Sequence, residues 1–124
     1  MKKNEDEENN EELESVENYE TLIASNPNSS SLWIKYMNFY LKMAETEKAR
    51  STAERALKTI FYRDDSEKLN MWVALLNFEC IHGTQATLDD TFNRATQNCD
   101  SYKIHCHMAE IYIKAHKLEV ILDK

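Results

Sequence analysis

The stretch Trp33-Ile34-Lys35-Tyr36-Met37-Asn38-Phe39 returns 39 residues later as Trp72-Val73-Ala74-Leu75-Leu76-Asn77-Phe78, followed by Glu79. The same offset carries Arg55 to Arg94 and Ala56 to Ala95. Ala49 maps to Leu88, Ala53 to Phe92 and Ile60 to Cys99, apolar for apolar. A period in the thirties to forties, in a chain with almost no strand signal, reads as stacked helical hairpins. Such arrays present extended surfaces that hold other molecules.

Composition agrees. With 124 residues the chain is one domain's worth. Charged residues make up 30% and apolar ones 42%, enough to bury a core. One glycine and one proline suit long helices and argue against a β-rich fold. No apolar run approaches the roughly 20 residues needed to span a membrane, and the N-terminus lacks the apolar core of a secretory signal. Three cysteines at irregular spacing read as free thiols in a reducing compartment.

The net charge of -7 is concentrated at one end. Residues 1 to 20 hold nine acids and two lysines, whereas residues 21 to 124 hold thirteen acids and thirteen bases. Residues 1 to 11 have no apolar residue after Met1, so the sequence predicts a disordered acidic tail there. Its composition is that of a solvated linker; the alternative is a contact with a basic partner such as a ribosomal protein or histone.

The remainder, 12–124, reads as one helical domain. Leu32, Tyr36, Phe39 and Met43 recur at i, i+4, i+7, i+11, one face of a helix. Asn28 to Ser31, just after Pro27, supply its N-cap candidates. The partner helix carries Ala49, Ala53, Ala56 and Ile60 at the same spacing, and its alanines allow close helix approach. The second repeat copies this with Met71, Leu75, Phe78 and His82, then Leu88, Phe92, Ala95 and Cys99. Gly83 is expected in a left-handed position that stops the helix, and Thr87 with Asp90 resembles a capping box. A third unit opens with Ile104, Met108, Ile111 and Ala115, and its second helix is expected from about Leu118.

Upstream, Val16, Tyr19, Leu22 and Ile23 predict a helix ending at Pro27, the second half of a unit. The divisions are therefore a half repeat over 12–27, repeats over 28–61 and 66–100, and a truncated repeat over 102–124. Terminal repeats ordinarily carry polar caps, and none stands out here. The reading is a piece of a longer solenoid, or a short chain that needs a partner, with self-association through uncapped ends as one outcome.

The signature residues are Trp33, Tyr36, Phe39, Ala49, Arg50, Arg55 and Ala56 in the first repeat, and Trp72, Phe78, Glu79, Arg94 and Ala95 in the second. They resemble the half-a-tetratricopeptide (HAT) repeat, with first-helix W-x-x-Y-x-x-F-E and second-helix A-R-x-x-x-E-R-A. Tyr40 stands where that pattern has Glu, Leu75 where it has Tyr, Asp89 where it has Arg, and His105 where it has Trp. Longer stretches, Ser25 to Met37, Glu47 to Arg50, Ala53 to Ile60, Lys68 to Asn77 and Met108 to Tyr112, are similar to the C-terminal HAT region of the ribosomal RNA-processing protein five family, called programmed cell death protein eleven in animals. The resemblance covers about residues 17 to 118. It implies a nucleolar scaffold for early cleavages of pre-ribosomal RNA, with protein partners in pre-ribosomal particles. That family carries many OB-type RNA-binding domains ahead of the repeats, and this chain has none.

Other constellations in the sequence have blander readings. Cys80, His82, Cys99, His105, Cys106 and His107 include zinc-ligand residue types, but residues 105 to 107 point about 100° apart on a helix and no C-x-x-C or H-x-x-x-H pair exists. Cys80 and Cys99 read as small packing residues. Trp33 and Trp72 have two readings, stacking on bases or packing, and their equivalent repeat positions favour packing. Arg50, Arg55 and Arg94 either touch phosphate or pair with acids such as Glu54 and Glu79. A neutral body lacks the basic stripe of an autonomous RNA binder, so any RNA contact is weak or indirect. No nucleophile–base pair, phosphate loop or carboxylate dyad stands out, so no active site, metal or cofactor is assigned. The sequence thus predicts an all-α, right-handed solenoid of antiparallel helix pairs, HAT- or TPR-like, acting as a non-catalytic protein-interaction scaffold in the nucleus and nucleolus. The alternatives are a direct RNA-binding module, or a HAT scaffold of the spliceosome or messenger-RNA 3′-end machinery.

Overall fold

Each apolar stripe is buried against a neighbouring helix. The computed structural model describes residues 14–122, with side chains described as far as residue 116. The acidic segment expected to be disordered, residues 1 to 11, lies outside the described residues. Six helices are present and no strand occurs among the described residues: α1 (Val16–Ser25), α2 (Ser30–Lys42), α3 (Thr46–Thr59), α4 (Asp65–His82), α5 (Gln85–Asn98) and α6 (Ser101–Leu122). They fall into two compact units, one ending at Phe61 and the other starting at Tyr62.

In the first unit, serines open the first two helices. The Ser15 hydroxyl accepts from the Asn18 N–H at 3.2 Å, and the Ser29 hydroxyl accepts from Leu32 N–H at 3.3 Å. Ser29 falls within the Asn28–Ser31 window read from the sequence. The core takes Tyr19 and Ile23 from α1, Trp33, Tyr36, Met37, Phe39 and Tyr40 from α2, and Ala49, Ala53, Ala56 and Ile60 from α3. Tyr19 stacks on Tyr36 with centroids 5.0 Å apart, and Tyr36 stacks on Tyr40 at 5.0 Å. The Phe61 N–H donates to Asn28 Oδ1 at 2.8 Å, tying the end of α3 to the start of α2. Met43, expected on the core stripe, is instead the exposed C-cap of α2, because the helix stops one residue before it.

The second unit packs Met71, Trp72, Leu75, Leu76 and Phe78 of α4 against Leu88, Thr91 and Ala95 of α5 and Ile104, Met108 and Ile111 of α6. Phe92, Cys99 and Ala115 are half-buried, and His82 is exposed with its ring 5.2 Å from Phe78. Asp100 Oδ1 caps α6 by accepting from the N–H groups of Tyr102 and Lys103 at 3.0 and 3.3 Å.

Three local expectations are corrected. The capping box of α5 is Thr84 with Thr87, not Thr87 with Asp90: Thr84 Oγ1 accepts from Thr87 N–H and Thr87 Oγ1 accepts from Thr84 N–H. A threonine at the fourth position closes the box as a glutamate would. Gly83 is not left-handed. Its φ is -98° and it is extended. The left-handed cap belongs to Ala44, with φ 59°. There Glu45 N–H donates to Tyr40 O at 2.9 Å and Ala44 N–H to Leu41 O at 3.0 Å, the Schellman pairing. Finally, α6 runs unbroken through Leu118 to Leu122, so no second helix starts near Leu118. The run from Ala115 to Leu122 holds no glycine, proline or capping residue that would stop it.

Gly83 is required for space, not for conformation. A Cβ there would meet the Glu79 carboxylate and the Thr87 hydroxyl. We expect Gly83→Ala to destabilise the chain by about 1–3 kcal/mol through overpacking. Ala44→Gly should stabilise it by about 1 kcal/mol, since it relieves a left-handed alanine. Denaturant unfolding of the two variants checks the opposite signs.

Candidate functional site

In each repeat the indole of the first helix lies beneath a guanidinium from the second. Trp33 is 1% exposed and Trp72 4%. The Arg55 guanidinium carbon lies 5.4 Å from the Trp33 ring centroid, and that of Arg94 5.1 Å from the Trp72 ring. Both distances are in the range of a cation–π contact. The geometry follows from helix periodicity. Arg55 precedes Ala56, and Arg94 precedes Ala95, so each cation stands beside the buried small residue that brings the helices together.

The two indoles differ at their nitrogens. Trp33 Nε1 donates to the Pro27 carbonyl at 2.9 Å. Trp72 Nε1 is buried and has no hydrogen-bond partner among the described residues. The residue matching Pro27 is Ser66, and it lies inside α4, where backbone carbonyls serve the helix ladder.

Around Arg55 the first unit builds a polar cluster. Its two terminal nitrogens reach Glu20 Oε2 and Oε1 at 2.7 and 3.0 Å, a bidentate pair linking α3 to α1. The Tyr36 hydroxyl donates to Glu20 Oε2 at 2.7 Å. With that hydrogen committed, the Tyr36 oxygen accepts from Tyr40 OH, 3.1 Å away. The hydrogen bond from Arg55 holds the Glu20 carboxyl below the usual range; burial, the next largest influence, opposes it, and the hydrogen bond from Tyr36 adds to the lowering. Burial first, then the Tyr40 and Glu20 contacts, push the Tyr36 phenol well above its ordinary value. Lys48 lies 6.0 Å from the Tyr40 ring centroid, so the tyrosine at the repeat's glutamate position is used inside the pair.

The signature residues therefore lie as follows. Trp33, Tyr36, Phe39, Ala49 and Ala56 are buried in the first unit, and Trp72, Phe78, Glu79 and Ala95 in the second. Arg50 pairs with Glu47. Arg55 reaches an acid on α1, Glu20, one of the nine acids concentrated in residues 1 to 20. The missed signal is position: Glu20 lies between the stripe residues Tyr19 and Ile23 of the same helix. Among the described residues, no three His, Cys, Asp or Glu side chains gather where they could hold a metal. Cys80 and Cys99 are half-buried and Cys106 is exposed, all free thiols; burial pushes the Cys99 thiol up. No described helix is long and apolar enough to cross a membrane.

Comparison with known proteins gives the family. The family model for the PRP39 N-terminal HAT repeat matches residues 1–119, and the chain belongs to that family. It is similar to the human Protein RRP5 homolog, 50% identical over 106 residues that cover 86% of this chain and 6% of that protein. The rRNA biogenesis protein RRP5 of Arabidopsis thaliana is 44% identical over 109 residues, again 86% and 6%. That of Schizosaccharomyces pombe is 42% identical over 102 residues, 82% of this chain and 6% of that protein. The chain thus spans about 6% of the length of these curated relatives.

The Glu20 cluster sets a pH dependence. A carboxyl depressed in the folded state contributes stability that is present above the ordinary carboxylate range and lost as pH falls through the depressed value. Melting temperatures from pH 6 to pH 2.5 should fall less steeply for Glu20→Gln than for the parent chain. Parallel curves would show that Glu20 contributes no linkage.

Proposed function

We propose that this member of the HAT-repeat family is a non-catalytic scaffold that holds protein partners during pre-ribosomal RNA processing and ribosome biogenesis. The observation that carries the reading is the set of relatives named for rRNA biogenesis, 42–44% identical in plant and fission yeast. In this reading the chain corresponds to the C-terminal repeat region of those proteins and works in the nucleus and nucleolus. Its divisions are a half repeat over 12–27, repeats over 28–61 and 66–100, and a truncated repeat over 102–124 that is helical to Leu122. Residues 1–11 act as an acidic linker in this reading.

Charge supports protein contacts over direct RNA binding. Residues 21 to 124 are electrically balanced, and Arg50, Arg55 and Arg94 are engaged with Glu47, Glu20 and Trp72. An autonomous RNA binder concentrates free cations on one face.

A tagged copy of the chain expressed in human cells should co-purify with pre-ribosomal RNA and sediment with pre-ribosomal particles. Recovery with spliceosomal or 3′-end processing RNA in place of pre-ribosomal RNA would contradict the assignment. Tight, salt-dependent binding of naked RNA by the purified chain would make it a direct RNA-binding module instead.

A further inference from the structure

Helix α4 begins a turn earlier than its counterpart in the first repeat. Under the 39-residue offset Ser30, where α2 starts, matches Leu69, yet α4 already starts at Asp65. In the first unit the three residues ahead of α2 are not helical and act as a strap. The Pro27 carbonyl accepts from Trp33 Nε1 at 2.9 Å, Asn28 Oδ1 accepts from Phe61 N–H at 2.8 Å, and the Ser29 hydroxyl caps α2. In the second unit the matching residues Ser66, Glu67 and Lys68 are wound into α4, and Trp72 Nε1 is left buried without a partner.

That extra turn is loosely held. Asp64, its N-cap, makes no side-chain capping bond, and the first buried residue of α4 is Met71. Its first backbone bond runs from Lys68 N–H to the Asp64 carbonyl at 3.0 Å. A helix end with so little cover opens locally far more readily than the core does. Beside it lies an open cleft of about 400 Å³, lined by Asp65, Ser66 and Leu69 of α4 and by residues 97 to 100 with Lys103 around the α5–α6 turn. Asp100 in that lining is the residue that matches Phe61. Every part of the first unit's strap therefore has a counterpart at this cleft: the indole, the carbonyl, an accepting side chain and a backbone N–H.

We infer that Asp65–Lys68 is a two-state strap that opens and closes this cleft. In one state it is the first turn of α4 and the cleft is open, as in the structure. In the other it leaves the helix, α4 starts at Leu69, the Ser66 carbonyl accepts from Trp72 Nε1 and the Glu67 carboxylate accepts from Asp100 N–H. The second state gives up one turn of backbone bonds and gains a partner for a buried donor, whose lack is costly. Lys103 offsets the carboxylate that Glu67 brings beside Asp100. The helical state prevails for two reasons. Lys68 stands where the first unit has the capping Ser29 and cannot cap, and Asp65 and Glu67 suit the positive end of the longer helix. Only the helical state presents the cleft, so a ligand of the cleft selects that state.

The test is NMR on the intact chain, reading hydrogen exchange at Leu69 and Asn70 together with the Trp72 indole proton. Lys68→Ser writes the first unit's cap into the second. It should shift the pair toward the closed state about fivefold, the usual effect of one N-cap. Exchange at Leu69 and Asn70 should quicken by that factor while the Trp72 indole proton moves downfield toward that of Trp33. Trp72→Phe keeps an aromatic ring and removes the donor that rewards closing. Exchange at the same two amides should then slow about threefold, the effect of one lost hydrogen bond. Faster amide exchange in Lys68→Ser with an unmoved indole proton would reduce the effect to fraying and overturn the inference. Unchanged or faster exchange in Trp72→Phe would overturn it as well. So would a resident water seen by cross-relaxation on the indole proton of the parent chain, because Nε1 would then already have its partner.

Discussion

The structure depends on how closely two helices of a pair can approach. A lone helix of 13 or 14 residues, the length of α2, α3 and α5, is marginal in water. Its stability comes from burying one face. Ala49, Ala53 and Ala56 are fully buried and present almost no bulk, so α3 lies close enough to α2 for Arg55 to cover the Trp33 indole. Ala95 and Arg94 repeat the device over Trp72. The arginine stem shields apolar ring surface while its charged end reaches polar partners. A larger side chain at Ala53 or Ala56 would separate the axes of α2 and α3 and uncover the Trp33 indole.

That geometry uses up the polar groups that a binding site would need. Arg55, Glu20, Tyr36 and Tyr40 satisfy one another within 2.7–3.1 Å. The cluster fastens α1, whose other core contributions are only Tyr19 and Ile23. Exposed apolar side chains stand out on α6. Among the described residues, the exposed large apolar side chains include three from α6.

Periodicity made the helices and their stripes legible, because burial of one face imposes a 3.6-residue repeat on residue type. Trp33, Tyr36, Phe39, Met71, Leu75, Phe78, Ile104, Met108 and Ile111 all reach the core. Termini were less legible, because capping depends on backbone geometry that several residue types can satisfy. Ala44 takes the left-handed cap that glycine usually fills, held there by its Schellman hydrogen bonds. Gly83 serves a steric need created by Glu79 and Thr87, and nothing in the local sequence advertises it. The Glu20–Arg55 pair spans 35 residues. Finding it requires knowing which helices pack together, and the concentration of acids nearby masked it.

The central claim is that the indoles hold the helix pairs together and do not serve a ligand. The most direct measurement is the unfolding free energy of Trp72→Ala, followed by denaturant titration with helical content monitored in parallel. The account predicts a loss of about 3–5 kcal/mol, the cost of deleting a fully buried aromatic. A Trp72→Ala chain that folds with unaltered stability and loses only a binding partner would contradict it.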